Sequence, residues 1–461
     1  MKVINLWPLW TTLLMATPSI VPGQEQLPNV VILYTDDQAT LDIHAFGASD
    51  LHTPNMDRLA MEGIRFTQAY AHTVCCPSRA ALLTGRHPQR TGVGEWTQVN
   101  PQVPKGANMK LSEVTLAEAF QTAGYRTALF GKWHLGADLG HGPEQQGFDE
   151  FFGFRGGFIE NHIHYFLHGD GFHDLWDGAK EIWRKGEYFP EMITDRSLTF
   201  IRENRDRPFF LYLAFNSPHY PMDAREEDYA LYENMKEPRR AYAAFVTTTD
   251  YYVGQILDEL KELGLAENTI VILQSDNGHE VTSHQSIGPN HSSGLPEGYN
   301  YGPHGGGGYT GKWIGHKYDF YEGGIRTPAI LRYPARITGG QVRTQAVTVM
   351  DWYPTLMDLC GLSLPRVEMD GKSLVPLILD GSVPSPHERL YYQWYYSWMV
   401  REGEWKLYFR VESGQPESTG KLLLLNLSDQ EPERINYLDR YPEKATRLRK
   451  YYEAWKADLG E

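Results

Sequence analysis

The sequence is short of three features that would place it in other protein classes: cysteine, long apolar runs and net positive charge. Its 461 residues include three cysteines, too few for a disulfide framework. An apolar run near the start is too short to cross a bilayer, and no later run is longer, so we expect no transmembrane segment. The formal net charge of −15 gives no general attraction to phosphate backbones, so we expect no nucleic-acid partner.

The first 23 residues have the pattern of a secretory signal peptide. Lys2 gives a basic start, residues 4–16 are mostly apolar, and Val21 and Gly23 fit the small residues that precede a cleavage site. We therefore predict a signal peptide over residues 1–23 and an exported mature protein, either periplasmic or extracellular.

Polar side chains follow each of four apolar segments that read as buried strands. The segments are 30–34, 126–130, 208–215 and 269–275. The polar residues that follow them include Asp36, Asp37, Lys132, His134, His219, Asp276 and Asn277. Helical segments between the strands favour a largely parallel sheet, and in such sheets ligands bind at the carboxyl ends of the strands. The sequence therefore predicts one site at that edge.

A cysteine-containing stretch over residues 75–86, CCPSRAALLTGR, predicts a short helix that begins beside an anion site. Pro77 suits the first turn, Ser78 to Leu83 would form the body, and Gly85 suits a left-handed exit. Cys75 would then lie just before the helix N-terminus, where free N–H groups favour an anion. Arg79, one turn into the helix, could add a planar set of donors for an oxyanion.

This stretch closely resembles the signature of the formylglycine-dependent sulfatases. The matching residues are Cys75, Pro77, Ser78, Arg79, Leu83, Thr84 and Gly85. The resemblance implies that a formylglycine-generating enzyme oxidises Cys75 to an aldehyde, whose hydrate is the nucleophile, while Cys76 fills a variable position. It also implies an alkaline-phosphatase-like α/β fold, with a large, mainly parallel mixed sheet flanked by helices.

Two adjacent carboxylates, Asp36 and Asp37, emerge from a core strand, where unpaired buried charges would cost several kcal/mol each. A hard cation would remove that cost. Together with Asp276 and Asn277 they form an all-oxygen donor set that suits Ca²⁺ better than zinc. The resemblance implies a single Ca²⁺ at these positions, with the modified Cys75 completing the ligand shell.

The resemblance also assigns roles to the remaining predicted catalytic residues. Arg79 and Lys132 would hold the hydrate and the metal side of the site, and His134 would orient the hydrate and accept a proton. Lys317, in a glycine-rich segment ahead of Glu322, and His219 would bind the sulfate, with one of them protonating the leaving oxygen. Lys132 would contact the substrate as well.

The pattern of predicted secondary structure changes after Pro384. Short strands alternate with turns up to residue 427, and a helix follows over 445–459. We therefore predict a catalytic domain over residues 24–384 and a C-terminal α+β subdomain over 385–461, with a small antiparallel sheet and one helix.

The substrate expected from the resemblance is a sulfated carbohydrate. Two long insertions, 153–189 and 279–317, would line the cleft, and His162, His164 and Trp313 offer the hydrogen-bonding and stacking groups that a sugar needs. Two alternatives stay open at this point. One is a phosphate or phosphonate ester hydrolase of the same superfamily, and the other is a catalytically silent protein that binds sulfated glycans.

Overall fold

The computed structural model describes residues 27–97, 107–136, 138–282, 285–302 and 306–460. The signal peptide predicted over residues 1–23 lies outside these ranges. Within them, no helix combines the length and the apolar character that crossing a membrane requires.

The strands and helices occur in the following chain order. The strands are β1 (Asn29–Thr35), β2 (Ile64–Tyr70), β3 (Arg126–Lys132), β4 (Glu150–Phe154), β5 (Tyr165–Phe166), β6 (Phe172–His173), β7 (Trp176–Asp177), β8 (Lys180–Glu181), β9 (Phe209–Ala214), β10 (Thr269–Ser275), β11 (Arg326–Arg332), β12 (Gln341–Arg343), β13 (Val347–Thr348), β14 (Arg389–Trp394), β15 (Ser397–Glu402), β16 (Trp405–Arg410) and β17 (Lys421–Asn426). The helices are α1 (Pro54–Glu62), α2 (Cys75–Thr84), α3 (Pro88–Thr91), α4 (Leu116–Thr122), α5 (Phe189–Glu203), α6 (Glu226–Ala230), α7 (Arg239–Glu262), α8 (Glu322–Ile325), α9 (Trp352–Leu359), α10 (Val375–Leu379) and α11 (Pro442–Asp458).

A large mixed sheet organises the chain. Its strand order over the described residues is β12-β2-β11-β10-β1-β9-β3-β4-β7-β8, with β13 paired to β2. The central strands β10, β1, β9, β3 and β4 are parallel neighbours. Antiparallel β11 links this block to β2. The four strands predicted from the sequence therefore lie side by side, and the α/β fold class is confirmed.

The alternation of side chains along β1 builds two apolar cores, one on each face of the sheet. Val30, Ile32 and Tyr34 point into a core shared with helices α2, α4 and α9. Val31 and Leu33 point into the opposite core, which helices α1, α5 and α7 cover. Because both faces are covered, β1 reads as a continuous apolar run and is buried along its whole length.

The C-terminal part forms the predicted small antiparallel sheet, in the order β14-β15-β16-β17. Helix α11 packs on one face, where Tyr452 stacks on Trp398 with 4.0 Å between ring centroids. The other face packs against Phe320 and Tyr70 of the larger part. Strand β14 begins at Arg389. The boundary between residues 384 and 385 stays a prediction.

Helix α2 begins one residue earlier than the sequence predicts. Cys75 is its first residue rather than the residue before it, and the helix ends at Gly85, whose φ of 65° is left-handed as expected. Pro77 is still tolerated, because a residue in the first turn of a helix has no intrahelical partner for an N–H group.

Candidate active site

The carboxyl ends of β1 and β10 bring the predicted metal ligands together. The two strands run parallel and end in register at Thr35 and Ser275. The residues that follow therefore meet, and the backbone N–H of Asp37 donates to Oδ1 of Asp276 at 3.2 Å. Both side chains are buried.

Helix α2 adds Cys75 to this group from the neighbouring side. The Sγ atom of Cys75 lies 3.5 Å from Oδ1 of Asp36. Arg79 fixes the helix against β10, since its Nε and Nη2 donate to Oδ2 of Asp276 at 3.1 and 2.7 Å. Ser78 donates to the backbone carbonyl of Asp276 and accepts from the N–H of His72. The sequence signature thus holds the cysteine beside the carboxylates.

Three buried carboxylates face three buried cations. Lys132 Nζ lies 2.6 Å from Oδ2 of Asp36, and Lys317 Nζ lies 2.9 Å from Oδ2 of Asp37. Burial alone would raise the pKa of Asp36, but Lys132 and other nearby cations outweigh burial and hold it below its ordinary value. Burial, together with the charges of Asp36 and Asp276, raises the pKa of Asp37 to about 7 despite Lys317. Asp37 therefore lacks full compensation from protein cations.

The donor set fits a hard divalent cation. Asp36, Asp37, Cys75 and Asp276 each offer one ligand atom, and these four atoms lie within 4.8 Å of one another. Asn277 donates its Nδ2 to Oδ1 of Asp37 at 2.6 Å, which leaves its buried Oδ1 without a hydrogen-bond partner in the described structure. An unpaired buried oxygen beside crowded carboxylates is the environment that a cation with oxygen ligands would complete.

Hydrogen bonds of two histidines at the site indicate which ring nitrogen carries the proton. His134 Nε2 lies 3.0 Å from the carbonyl of Thr97, so this nitrogen carries the proton, and Nδ1 is buried without a partner in the part of the chain that is described. His219 Nδ1 donates to the carbonyl of Tyr220 at 2.7 Å, and its Nε2 lies 3.5 Å from Asp37. Burial, reinforced by Lys132, lowers the pKa of both rings well below the usual value.

Backbone strain is concentrated at two of these residues. Asp37 has a φ of 62° and His134 a φ of 57°, in the left-handed region that non-glycine residues rarely occupy. Such conformations persist where the surrounding structure enforces them, and they cluster at functional sites.

A cavity of about 300 Å³ opens onto the predicted nucleophile. Cys75, His134, His219 and Lys317 all line it. Arg79 and Lys132 lie behind, fully buried against the carboxylates. The arrangement places a nucleophile position, a cation site and positively charged groups on one small cavity, which is what displacement at an anionic ester requires.

The sequence does not identify several of the residues that line this cavity. Among them are Trp96, Phe158, Tyr220 and Tyr318. Phe158 stacks on His219 with 5.2 Å between centroids. Two of them could have been found from their position in the sequence, because Tyr220 directly follows His219 and Tyr318 directly follows Lys317.

The three residues predicted to bind the sugar, His162, His164 and Trp313, do not line this cavity. His162 lines a separate cavity of about 510 Å³, and its Nε2 is 2.9 Å from Asp223. His164 is buried, with Nε2 3.1 Å from the carbonyl of Glu187. Trp313 packs under the guanidinium of Arg326, 4.3 Å from the ring centroid, and lines another cavity. The structure therefore does not bring them to Cys75, because His162 pairs with Asp223, His164 with Glu187 and Trp313 with Arg326.

Comparisons with known proteins agree on one family. A family model described as Sulfatase matches residues 28–362. N-acetylgalactosamine-6-sulfatase of Rattus norvegicus is 33% identical over 387 residues, which covers 79% of this chain and 68% of that protein. Arylsulfatase A of Homo sapiens is 32% identical over 426 residues, covering 85% and 76%. The crystal structure of Ps i-CgsB in complex with k-i-k-neocarrahexaose superimposes with a TM-score of 0.77 at 25% identity, covering 93% of both chains.

Proposed function

The chain belongs to the sulfatase family and is a sulfuric ester hydrolase, and we propose that it cleaves sulfate esters of carbohydrates with Cys75 converted to formylglycine and one bound Ca²⁺. The observation that carries this proposal is the position of Cys75 at the base of a cavity, 3.5 Å from Asp36 and within the same cluster as Asp37 and Asp276.

The cation and the modified cysteine would supply the chemistry that ordinary side chains lack. The Ca²⁺ would be held by Asp36, Asp37, Asp276 and the Oδ1 of Asn277, which is unpaired within the described structure. When bound, a divalent cation lowers the pKa of a hydroxyl group beside it. The hydrated aldehyde at residue 75 would provide that hydroxyl as an oxygen nucleophile toward sulfur.

The remaining residues bind the substrate, orient it and handle protons. Lys317 and His219 line the cavity and would hold the sulfate oxygens, and one of them would protonate the departing alcohol oxygen. Arg79 and Lys132 are fixed by carboxylates, so their charge is in place before the substrate arrives. The Nδ1 of His134, which has no hydrogen-bond partner among the described residues, is available to accept a proton when sulfate is released.

The carbohydrate substrate is supported by relatives of this chain and by the cavity itself. One similar protein is named N-acetylgalactosamine-6-sulfatase, and a similar structure contains k-i-k-neocarrahexaose. The aromatic side chains of Phe158 and Tyr220 beside Lys317 offer apolar surface next to a cation. A sulfated sugar combines an apolar ring face with a negative group, and it matches both features.

Maturation and location belong to the same proposal. We infer that a formylglycine-generating enzyme modifies Cys75 and that the protein is exported to the periplasm or beyond, where it would meet polysaccharides. The pattern over residues 1–23 supports export, and the signature around Cys75 supports the modification.

The test is a panel of monosulfated saccharides, an aryl sulfate and an aryl phosphate, assayed for free sulfate and phosphate. The protein should be produced together with a formylglycine-generating enzyme, and the Cys75→Ala variant is the control for background hydrolysis. We expect sulfate release from at least one saccharide and none from the variant. Faster phosphate release would favour the phosphohydrolase alternative, and saccharide binding without turnover by aldehyde-bearing protein would favour the silent binder.

A further inference from the structure

A second cavity adjoins the one at Cys75. It has a volume of about 590 Å³ and lies between the β14–β15 turn and the segment 411–416 of the C-terminal sheet. Trp394, Tyr395 and Ser413 line both cavities. The two cavities therefore share part of their wall, and the second one is next to the space that a sulfate at Cys75 would occupy.

A series of aromatic rings leads from Lys317 to the second cavity. Tyr318 follows Lys317, and its ring centroid is 5.6 Å from that of Trp394, which is 4.9 Å from that of Tyr395. At the end of the series Tyr395 and Tyr396 are 44% and 52% exposed. Exposed aromatic faces beside a cavity are suitable surfaces for the apolar face of a sugar ring.

The turn that carries these two tyrosines holds Tyr395 in an unfavourable backbone conformation. Trp394 pairs with Ser397, so Tyr395 and Tyr396 form a two-residue hairpin turn. Tyr395 has a φ of 47°, a value for which such turns normally use glycine, asparagine or aspartate. A bulky ring at a strained and exposed position adds no core packing, and strain of this kind is typical of binding sites.

The charge of the second cavity differs from that of the first. Lys317 faces the Cys75 cavity, whereas none of the described residues that line the second cavity is lysine or arginine. Glu412 lines it, and its carboxylate lies 3.4 Å from Arg410, which offsets the negative charge. A second sulfate there would find no lysine or arginine among the described lining residues, and Arg410 is already paired with Glu412 and Asp319, whereas a neutral ring needs no cation.

We propose that the second cavity is a subsite for an uncharged sugar ring next to the sulfated ring, with Tyr395 and Tyr396 as its binding surface. The preferred substrate is then a disaccharide or longer chain in which an unsulfated ring neighbours the sulfated one. This inference rests on the proposed function and specifies its substrate class.

The experiment compares three substrates: a sulfated monosaccharide, the same unit linked to an unsulfated ring, and the same disaccharide with a second sulfate on that ring. Wild-type protein should have the highest kcat/KM on the second substrate. Tyr395→Ala and Tyr396→Ala should lower the ratio of kcat/KM for this disaccharide over the monosaccharide about tenfold. Trp183→Ala is the matched control, because Trp183 is 63% exposed and stacks on His173 away from both cavities, and it should keep the wild-type ratio.

Tyr395→Gly separates binding from a structural role. Glycine adopts positive φ without strain, so this variant should melt at a higher temperature than wild type and still lose the disaccharide preference. Equal losses on all substrates, an unchanged ratio in both alanine variants, or a wild-type preference for the disulfated substrate would overturn the subsite.

A binding measurement keeps this outcome apart from failure of the proposed function. Titration of the unsulfated disaccharide into Cys75→Ala protein, with and without Tyr395→Ala, needs no turnover. Weaker binding in the double variant supports the subsite even if no sulfate ester is cleaved. Equal binding, or none in either protein, overturns it even if the enzyme is an active sulfatase.

Discussion

A buried lysine joins the C-terminal sheet to the segment that carries Lys317, and its removal is the most quantitative test of the packing. Lys406 on β16 lies 2.8 Å from Oε1 of Glu322 and 2.7 Å from Oε1 of Glu433, and all three side chains are buried. Glu322 also accepts a hydrogen bond from Tyr70 at 2.6 Å. Lys406→Met removes the ammonium group and keeps most of the side-chain volume.

The expected cost follows from the charges that remain. Two carboxylates stay buried next to each other, and removing one partner of a buried ion pair costs about 3–5 kcal/mol. For 461 residues the entropy of unfolding is about 1 kcal/mol/K. The melting temperature should therefore fall by about 3–5 °C.

The cost should also depend on pH, with a definite sign. Burial, with the nearby charge of Glu322, raises the pKa of Glu433 to about 7 from 4.5. A carboxyl group with a raised pKa stabilises the fold below its ordinary pKa and loses this contribution as pH rises through 7. Without Lys406 the ionised form is less favourable still, so Lys406→Met should cost more at pH 8 than at pH 5.

Urea unfolding and thermal melting at pH 5 and pH 8 measure both effects. Lys421→Met, an exposed lysine on β17, is the control and should change stability by less than about 0.5 kcal/mol. The double variant Lys406→Met with Glu433→Gln should recover part of the loss, because it removes one of the two carboxylates. A cost below about 1 kcal/mol for Lys406→Met, or the same cost at both pH values, would refute this reasoning.

Three further predictions concern the site. Cys75→Ala should abolish sulfate release while Cys76→Ala, whose sulfur hydrogen-bonds to the backbone of Glu95 and Thr97 and lies in the apolar core, keeps it; loss of activity in the second variant alone would contradict the assignment. Asp276→Ala should lose bound calcium by elemental analysis as well as activity, and two zinc ions per wild-type chain would contradict the Ca²⁺ proposal. Lys317→Ala should lower kcat/KM at least about a hundredfold, whereas Lys312→Ala, an exposed neighbour, should leave it unchanged; similar values for the two would remove Lys317 from the mechanism.

The parts of the fold that the sequence predicts are those with a clear hydrophobic pattern over several residues. Residues 30–34 of β1 are all apolar because both faces of the sheet are covered, and the sequence predicts them as a buried strand. The sequence does not predict strands β5 to β8. Each has two residues, and a two-residue strand has no periodicity to detect.

The convergence of the site residues was predictable for a related reason. Asp36, Asp276 and Lys132 each lie at the carboxyl end of a parallel strand, so the topology alone brings them to one edge. No comparable rule predicts the direction in which a side chain of a loop points. His164 is buried within its insertion, whereas His168, four residues later, lines the cavity at Cys75. Only the packing of the insertion decides between them.

The most direct test of the central proposal relates the modification of residue 75 to turnover. Protein produced with different amounts of the formylglycine-generating enzyme would be analysed by peptide mass spectrometry for the fraction of aldehyde at position 75, and each preparation would be assayed for sulfate release from one monosulfated saccharide. We predict that turnover rises in proportion to the aldehyde fraction, along a line through zero, with Cys76 unmodified throughout. Full turnover in a preparation whose Cys75 is entirely unmodified would contradict the account.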